Sequence, residues 1–133
     1  MPILSVRLCT DRTPDTSRRI AAALTDLTGE ILGKKRELTA VAIEYVAPSE
    51  WFIAGVEQTA HRPGTFSLDI KITEGTNTKD EKAHYIGRAF AAVERIIGEL
   101  AEASYIVIHE VRGDAWGYQG QTQEFRYIRG KAI

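Results

Sequence analysis

Four short segments of the chain follow the hydrophobic patterns of β-strands. A longer helical pattern lies between the first and second of these segments, and another lies between the third and fourth. Two of the segments alternate apolar and polar residues, the period of a half-buried strand. The other two are apolar at consecutive positions, as in strands covered on both faces. The alternating segments are residues 2–8 and 66–72, and the continuous ones are residues 41–46 and 105–111.

Each helical pattern has its own start and stop signals. Thr13-Pro14-Asp15 supplies a cap, a proline suited to the first turn and an early acid, and Gly33 supplies a stop. The second helix begins with the capping-box pattern of residues 78–81 and ends near Gly98. The apolar positions predicted to face the core are Ile20, Leu24, Leu27 and Ile31 in the first helix, and Ala83, Ile86, Phe90, Val93 and Ile97 in the second.

The chain contains two copies of one unit, over about residues 1–58 and 65–122. Each strand-helix-strand unit ends in a W-x-x-x-G segment, Trp51–Gly55 or Trp116–Gly120. Such crossovers favour a parallel, right-handed pair of strands. We therefore predict a single α+β domain over residues 1–133, with a four-stranded mixed sheet and two helices on one of its faces.

The second face of this sheet has no helix to cover it. Because two of the strands are apolar on both sides, neighbouring copies of the chain are expected to pack there. Residues 121–133 form the C-terminal tail, in which 121–129 is predicted to cross the interface as an edge strand.

Composition narrows the class of protein. The chain has 133 residues, 17 Lys+Arg against 18 Asp+Glu, a net charge of -1 and one cysteine, Cys9. A disulfide framework and a multi-cysteine zinc site are excluded, and the balanced charge argues against a nucleic-acid partner. With no apolar run of about 20 residues and no signal-peptide pattern, we expect a cytoplasmic protein without a membrane partner. An enzyme or small-molecule binder remains.

Several motifs resemble the tautomerase superfamily over nearly the whole chain. They are Pro2-Ile3 at the start, Asp11-Arg12 before the first helix, Leu32-Gly33-Lys34 at its end, and the two aromatic-to-glycine hairpins. The doubled length is similar to that of the macrophage migration inhibitory factor (MIF) branch rather than the short 4-oxalocrotonate tautomerases. The resemblance implies a MIF-like fold of two βαβ units, a homotrimer with three active sites, and chemistry without cofactor or metal.

Pro2 is the candidate catalytic residue. If Met1 is removed, Pro2 presents a secondary amine, and burial or nearby cations would bring the pKa of an α-amino group toward neutrality. Such an amine can take a proton from one atom of a keto-enol system and return it to another. The expected activity is tautomerisation of a small anionic keto or enol acid.

The resemblance also implies substrate-binding residues. Arg12 matches a carboxylate-binding arginine, Lys34 an active-site lysine, and Tyr105 a tyrosine contributed by a neighbouring subunit. Trp51 and Trp116 match aromatic positions that wall family pockets. Each has a structural interpretation as well: Arg12 as a solvated loop residue, Lys34 as a basic helix end, and the three aromatic residues as hairpin or interface anchors.

Departures from the family pattern leave other functions open. A second family arginine would fall at Ala40, and the arginine pair of the family dehalogenases would fall within residues 71–76, which offer Lys71 and threonines. A hydratase or lyase resembling cis-3-chloroacrylate dehalogenase or malonate semialdehyde decarboxylase is therefore less favoured than a tautomerase. A non-catalytic oligomeric ligand-binding module of the same fold is the other alternative.

Overall fold

The computed structural model describes residues 2–59 and 61–131 and contains two β-α-β units, each followed by a small hairpin. Single 3-10 turns lie at Arg36–Leu38 and Pro48–Glu50. The helices are α1 (Pro14–Leu32), α2 (Lys79–Ile97) and α3 (Gln123–Lys131). The strands are β1 (Ile3–Cys9), β2 (Ala40–Tyr45), β3 (Phe52–Ile53), β4 (Val56–Glu57), β5 (Thr65–Thr73), β6 (Tyr105–Val111), β7 (Gly117–Tyr118) and β8 (Gln121–Thr122).

The four long strands form one mixed sheet in the order β2-β1-β5-β6. The pairs β1–β2 and β5–β6 are parallel, and β1 and β5 join the two units in antiparallel register, with Val6 opposite Leu68. This confirms the predicted fold. It also puts the starts of β1 and β2 beside the ends of β5 and β6; we call this edge the first end of the sheet, and the opposite edge the second end.

The hydrophobic core lies between one face of the sheet and helices α1 and α2. Alternate residues of β1 and β5 are buried there, as the period of two predicts. At about 1.5–3 kcal/mol for each large apolar side chain, this layer is the main source of stability. Its fully buried members include Leu4, Leu8, Ile20, Leu24, Phe66, Leu68, Ile70, Ile72 and Tyr85.

The two long helices begin and end close to their predicted signals. Thr13 caps α1 by accepting from the Thr16 backbone N–H, Gly33 ends the helix in the left-handed conformation, and both bonds of the Thr78–Glu81 capping box are present on α2. The buried stripe of α1 is confirmed for Ile20, Leu24 and Leu27.

The buried face predicted for α2 is partly wrong. Ala83 and Ile86 are exposed, and the residues buried against the core are Tyr85, Ala89 and Val93. The cause is a tertiary contact: the Tyr85 hydroxyl reaches the buried Thr28 hydroxyl of α1 at 2.9 Å. This bond satisfies two polar groups inside the core and turns Tyr85 rather than Ile86 toward α1, whereas Val93 is buried as predicted and Phe90 and Ile97 pack partly buried against the core.

The C-terminal edge strand predicted over residues 121–129 is also wrong. Only Gln121–Thr122 is strand, paired with β7, and α3 begins at Gln123. The Thr122 hydroxyl accepts from the Phe125 backbone N–H at 2.9 Å, which caps a helical turn. None of the described residues of α3 is buried in the single chain, and Phe125, Tyr127 and Ile128 are exposed there. Residues 132–133 of the predicted tail lie outside the described residues.

The face of the sheet away from the helices is exposed in the single chain. It carries the ion pair of Arg7 with Glu44 at 3.3 Å and the contact of His109 with Asp69 at 2.6 Å. Val107, which pairs with Asp69 in the sheet, is 42% exposed. Packing of another copy on this face stays a prediction. Among the described residues, no helix combines the length and the apolar character needed to cross a bilayer.

Candidate functional site at the first end of the sheet

Pro2 is buried at the start of β1. Its carbonyl accepts a hydrogen bond from the Ala40 N–H at 3.3 Å, and the next residue, Ile3, pairs with both Ala40 and Lys71. Pro2 is therefore held at the first end by its neighbours on both sides. Met1, whose removal would free the Pro2 nitrogen, lies outside the described residues.

Lys34 reaches the same end because of how α1 finishes. Gly33, at φ 70°, reverses the chain, and the backbone N–H of Lys34 donates to the Thr28 carbonyl at 3.3 Å. The Lys34 ammonium then donates to the Thr76 hydroxyl at 2.9 Å. Partial burial lowers the pKa of Lys34, and the nearby Glu81 carboxylate opposes that shift.

Trp116 joins this end through a chain of hydrogen bonds. Its indole N–H donates to the Thr73 hydroxyl at 3.2 Å, and the Thr76 hydroxyl donates to the Thr73 carbonyl at 2.6 Å. The end of β5 thus connects the second hairpin with the Lys34 ammonium. This arrangement fixes the relative positions of one aromatic side chain and one cation.

A cleft of about 800 Å³ opens beside these residues; we call it the first-end cleft. Pro2 is not one of its lining residues. Of the predicted site residues it contains Lys34. The lining side chains that sequence reasoning did not select are Lys35, Thr73, Glu74, Thr76, Arg112, Asp114, Gln123, Glu124, Arg126 and Tyr127. Arg112 precedes the second W-x-x-x-G segment and Arg126 follows it, but no spacing distinguished them from surface residues.

The charges of the first-end cleft are only partly balanced. Arg112 forms a two-bond contact with Asp114, at 3.1 and 3.0 Å, and this contact lowers the pKa of the Asp114 carboxyl. Among the described residues, no carboxylate forms an ion pair with Lys34, Lys35 or Arg126. Four cations and the three carboxylates of Glu74, Asp114 and Glu124 line the cleft, so it keeps an excess of one positive charge, which favours an anionic ligand.

The second end of the sheet holds the other predicted site residues. The Arg12 guanidinium lies 5.6 Å from the ring centroid of Tyr45, at the far end of β1. Trp51 and Tyr105, the latter 62% exposed, line a separate cleft of about 540 Å³. The seven residues of β1, at about 3.3 Å each, span roughly 23 Å.

Within one chain, Pro2, Lys34 and Trp116 therefore share an end, and Arg12, Trp51 and Tyr105 do not reach them. These three can meet Pro2 only from a neighbouring copy. Within residues 2–59 and 61–131, no group of three or more His, Cys, Asp or Glu side chains is placed to hold a metal ion.

The two repeats have a counterpart in comparisons with known proteins. A family model described as "Tautomerase enzyme" matches residues 2–60 and 67–126. Among curated proteins, none matches the chain significantly.

Solved structures share the fold at low sequence identity. A wild-type fused 4-OT described as a symmetric trimer is 19% identical, with a TM-score of 0.81, covering 92% of this chain and 96% of that one. A macrophage migration inhibitory factor-like protein from Entamoeba histolytica is 22% identical, with a TM-score of 0.70, covering 91% and 97%. FG41 malonate semialdehyde decarboxylase inhibited by 3-bromopropiolate is 20% identical, with a TM-score of 0.74, covering 98% of both chains.

Proposed function

Because the chain belongs to the tautomerase family, we propose that it is a cofactor-independent isomerase that performs keto-enol or 1,3-proton transfer on a small unsaturated keto acid. Pro2 is the general base and acid in this proposal. The observation that carries it is the placement of a buried Pro2 at the same end of the sheet as Lys34 and its cationic cleft.

The chemistry needs one proton carrier and one cation. The Pro2 nitrogen takes the proton of the enol hydroxyl, and the oxygen keeps the electron pair of the broken O–H bond. As that pair forms the carbonyl, the carbon-carbon double bond takes the proton back from Pro2 at carbon. Lys34 is suited to hold the substrate carboxylate or the developing enolate oxygen, since its ammonium is partly withdrawn from water.

Self-association is part of this proposal. A homotrimer would cover the exposed sheet face and bring Arg12, Trp51 and Tyr105 of one copy toward Pro2 of another. The trimeric fused 4-OT of the same fold supports this assembly. The length of β1 supports it as well. Because roughly 23 Å separates Pro2 at one end from Arg12 at the other, a site that contains both residues needs two chains.

Replacing Pro2 tests the proton-transfer mechanism. For Pro2→Ala we expect kcat/KM for ketonisation of phenylenolpyruvate or 2-hydroxymuconate to fall about 10²–10⁴-fold, because the base is changed. The measurement is loss of enol absorbance, with the intact mass showing whether Met1 is removed from the native protein. Equal activity of the wild type and Pro2→Ala would exclude the proline mechanism.

One observation favours a second candidate, a ligand-binding member of the fold that uses the cleft without proton transfer. Pro2 is buried and does not line the first-end cleft. A native mass that includes Met1, together with anion binding and no enol turnover, would support this candidate over the isomerase. A dehalogenase or decarboxylase is less favoured, since Lys71, Thr73 and Thr76 occupy the stretch where a pair of arginines would be expected.

A further inference from the structure

We propose that Thr76 is the positioning residue of Lys34: its hydroxyl holds the ammonium at the first-end cleft and leaves two of the ammonium N–H groups for the ligand. This inference rests on the proposed function for the use of Lys34 as an anion binder. It adds a residue that acts on the ligand through Lys34. Both side chains line the first-end cleft.

The hydrogen bonds of Thr76 can run in one direction only. A hydroxyl has a single proton, and the Thr76 hydroxyl lies 2.6 Å from the Thr73 carbonyl, to which it donates. The other acceptor near that proton, the side-chain oxygen of Asn77, is farther away at 3.5 Å. The Thr76 oxygen therefore accepts from the Lys34 ammonium at 2.9 Å. Because an ammonium carries three donors, two remain after this bond.

The loop that carries Thr76 is fastened on both sides. The side-chain amide of Asn77 donates to the Leu32 carbonyl at 3.0 Å, one of the last carbonyls of α1, which have no partner within the helix. The backbone N–H of Glu74 donates to the Val111 carbonyl of β6 at 2.9 Å. The Thr76 oxygen thus has a fixed place between α1 and the sheet. A long lysine side chain bonded to it is ordered before the ligand arrives.

A neutral acceptor leaves the charge of Lys34 available to the ligand. Among the described residues, no carboxylate lies within ion-pair distance of this ammonium. The Glu81 carboxylate raises the pKa of Lys34 through its field, but it accepts from the Thr78 backbone N–H at 2.8 Å. A ligand anion therefore does not have to displace a carboxylate from Lys34. The other charged residues of the cleft are Lys35, Glu74, Arg112, Asp114, Glu124 and Arg126.

Thr76→Val and Thr76→Ser test the positioning role, since the first removes the hydroxyl and the second keeps it. The titration of Lys34 is followed by NMR of the labelled full chain, with Lys34→Met identifying its signal. In Thr76→Val we expect the pKa of Lys34 to fall further, because the partly buried ammonium loses a bond that favours its charged form. In Thr76→Ser the pKa of Lys34 should match that of the wild type.

Binding of crotonate, a small monocarboxylate, gives a second measurement by isothermal titration calorimetry. We expect its affinity to fall about tenfold in Thr76→Val and less than about twofold in Thr76→Ser. Thr25→Val is the matched control, since it removes a hydroxyl from α1 outside the first-end cleft. It should change neither the pKa of Lys34 nor the affinity for crotonate.

The outcomes separate the role of Thr76 from the proposed activity. An equal Lys34 pKa in the wild type and Thr76→Val, or a Thr76→Ser variant that behaves like Thr76→Val, overturns the positioning role. Circular dichroism identifies a variant that fails to fold. Neither measurement needs turnover, so the expected Thr76 effects together with absent enol turnover in the wild type would refute the isomerase alone.

Discussion

Lys34 carries a charge in surroundings that disfavour it. Burial lowers its pKa, which means that the folded state favours the neutral amine relative to the unfolded chain. The stability linked to this group is therefore present above the ordinary lysine pKa and is lost as pH falls through the lower folded value. At neutral pH the ammonium is a cost to folding, which its proposed role in anion binding would account for.

Replacing Lys34 by methionine separates these two effects. In Lys34→Met we expect kcat/KM, or anion affinity, to fall about 10–100-fold because the cation is lost. The free energy of unfolding should not decrease, because the stem still packs and the desolvated charge is removed. Enol turnover and urea denaturation measure the two quantities. The exposed Lys79→Met is the control, with activity near wild type; full activity in Lys34→Met would exclude its role.

The family resemblance pointed to Lys34, which lines the first-end cleft, whereas no sequence signal pointed to Gln123 and Arg126 on the same cleft. Lys34 follows Leu32-Gly33, a local stop signal whose geometry the backbone alone determines. Gln123 and Arg126 acquire meaning only when α3 docks through main-chain bonds to Gly113 and Trp116. Main-chain hydrogen bonds do not depend on side-chain type. The side-chain pattern of residues 121–129 therefore did not indicate the docked helix, and a strand is the expectation for that segment.

At the scale of helices and strands, features set by local sequence signals were predictable, and features set by tertiary contacts were not. The limits of α1 follow from Thr13, Pro14 and Gly33, whose effects are local. The burial of Tyr85 rather than Ile86 depends on the hydroxyl contact between Tyr85 and Thr28, 57 positions apart, which no helical periodicity contains. Strand pairing was predictable because the repeat fixes two parallel pairs.

The two hairpins show how one element shapes the site. Each turns through two residues with positive φ, Ala54 with Gly55 and Gln119 with Gly120, the conformation of a type I′ turn. In the second hairpin, Gly117 also lies so close to its partner strand that a Cβ would meet the Gln121 carbonyl oxygen at 1.9 Å. Glycine at this position is a requirement of the strand pairing.

Gly117→Ala should disrupt the hairpin and the cleft together. We expect the free energy of unfolding to fall by about 1–3 kcal/mol, because backbone atoms must separate to admit the methyl group. Anion binding at the first end should weaken as well, since α3 and Trp116 are attached to this hairpin. Urea unfolding and calorimetry measure both effects. Gly87→Ala is the matched control: nothing lies within 4 Å of its Cβ position in α2, and the change should be neutral or stabilising.

At the scale of the molecule, the residues of the proposed site are divided between the two ends of the sheet. Pro2 and Lys34 lie at one end, and Arg12 and Tyr105 at the other, with β1 between them. Bending a paired strand by roughly 23 Å is not available to the fold, so association of copies is the remaining way to join the residues. Each chain would then contribute Pro2 and Lys34 to one site, and Arg12 and Tyr105 to another.

A trimer with shared sites predicts complementation between two inactive variants. Pro2→Ala and Tyr105→Ala should each lose most activity alone, and sedimentation velocity should show each as a trimer. When the two chains are co-expressed with different tags, about one quarter of the sites combine an intact Pro2 with an intact Tyr105 from a neighbour. Purified mixed trimers, freed of the homotrimers, hold one such site in three and should therefore regain about a third of wild-type activity. A monomer at micromolar concentration, or mixed trimers no more active than the variants, would contradict the shared site.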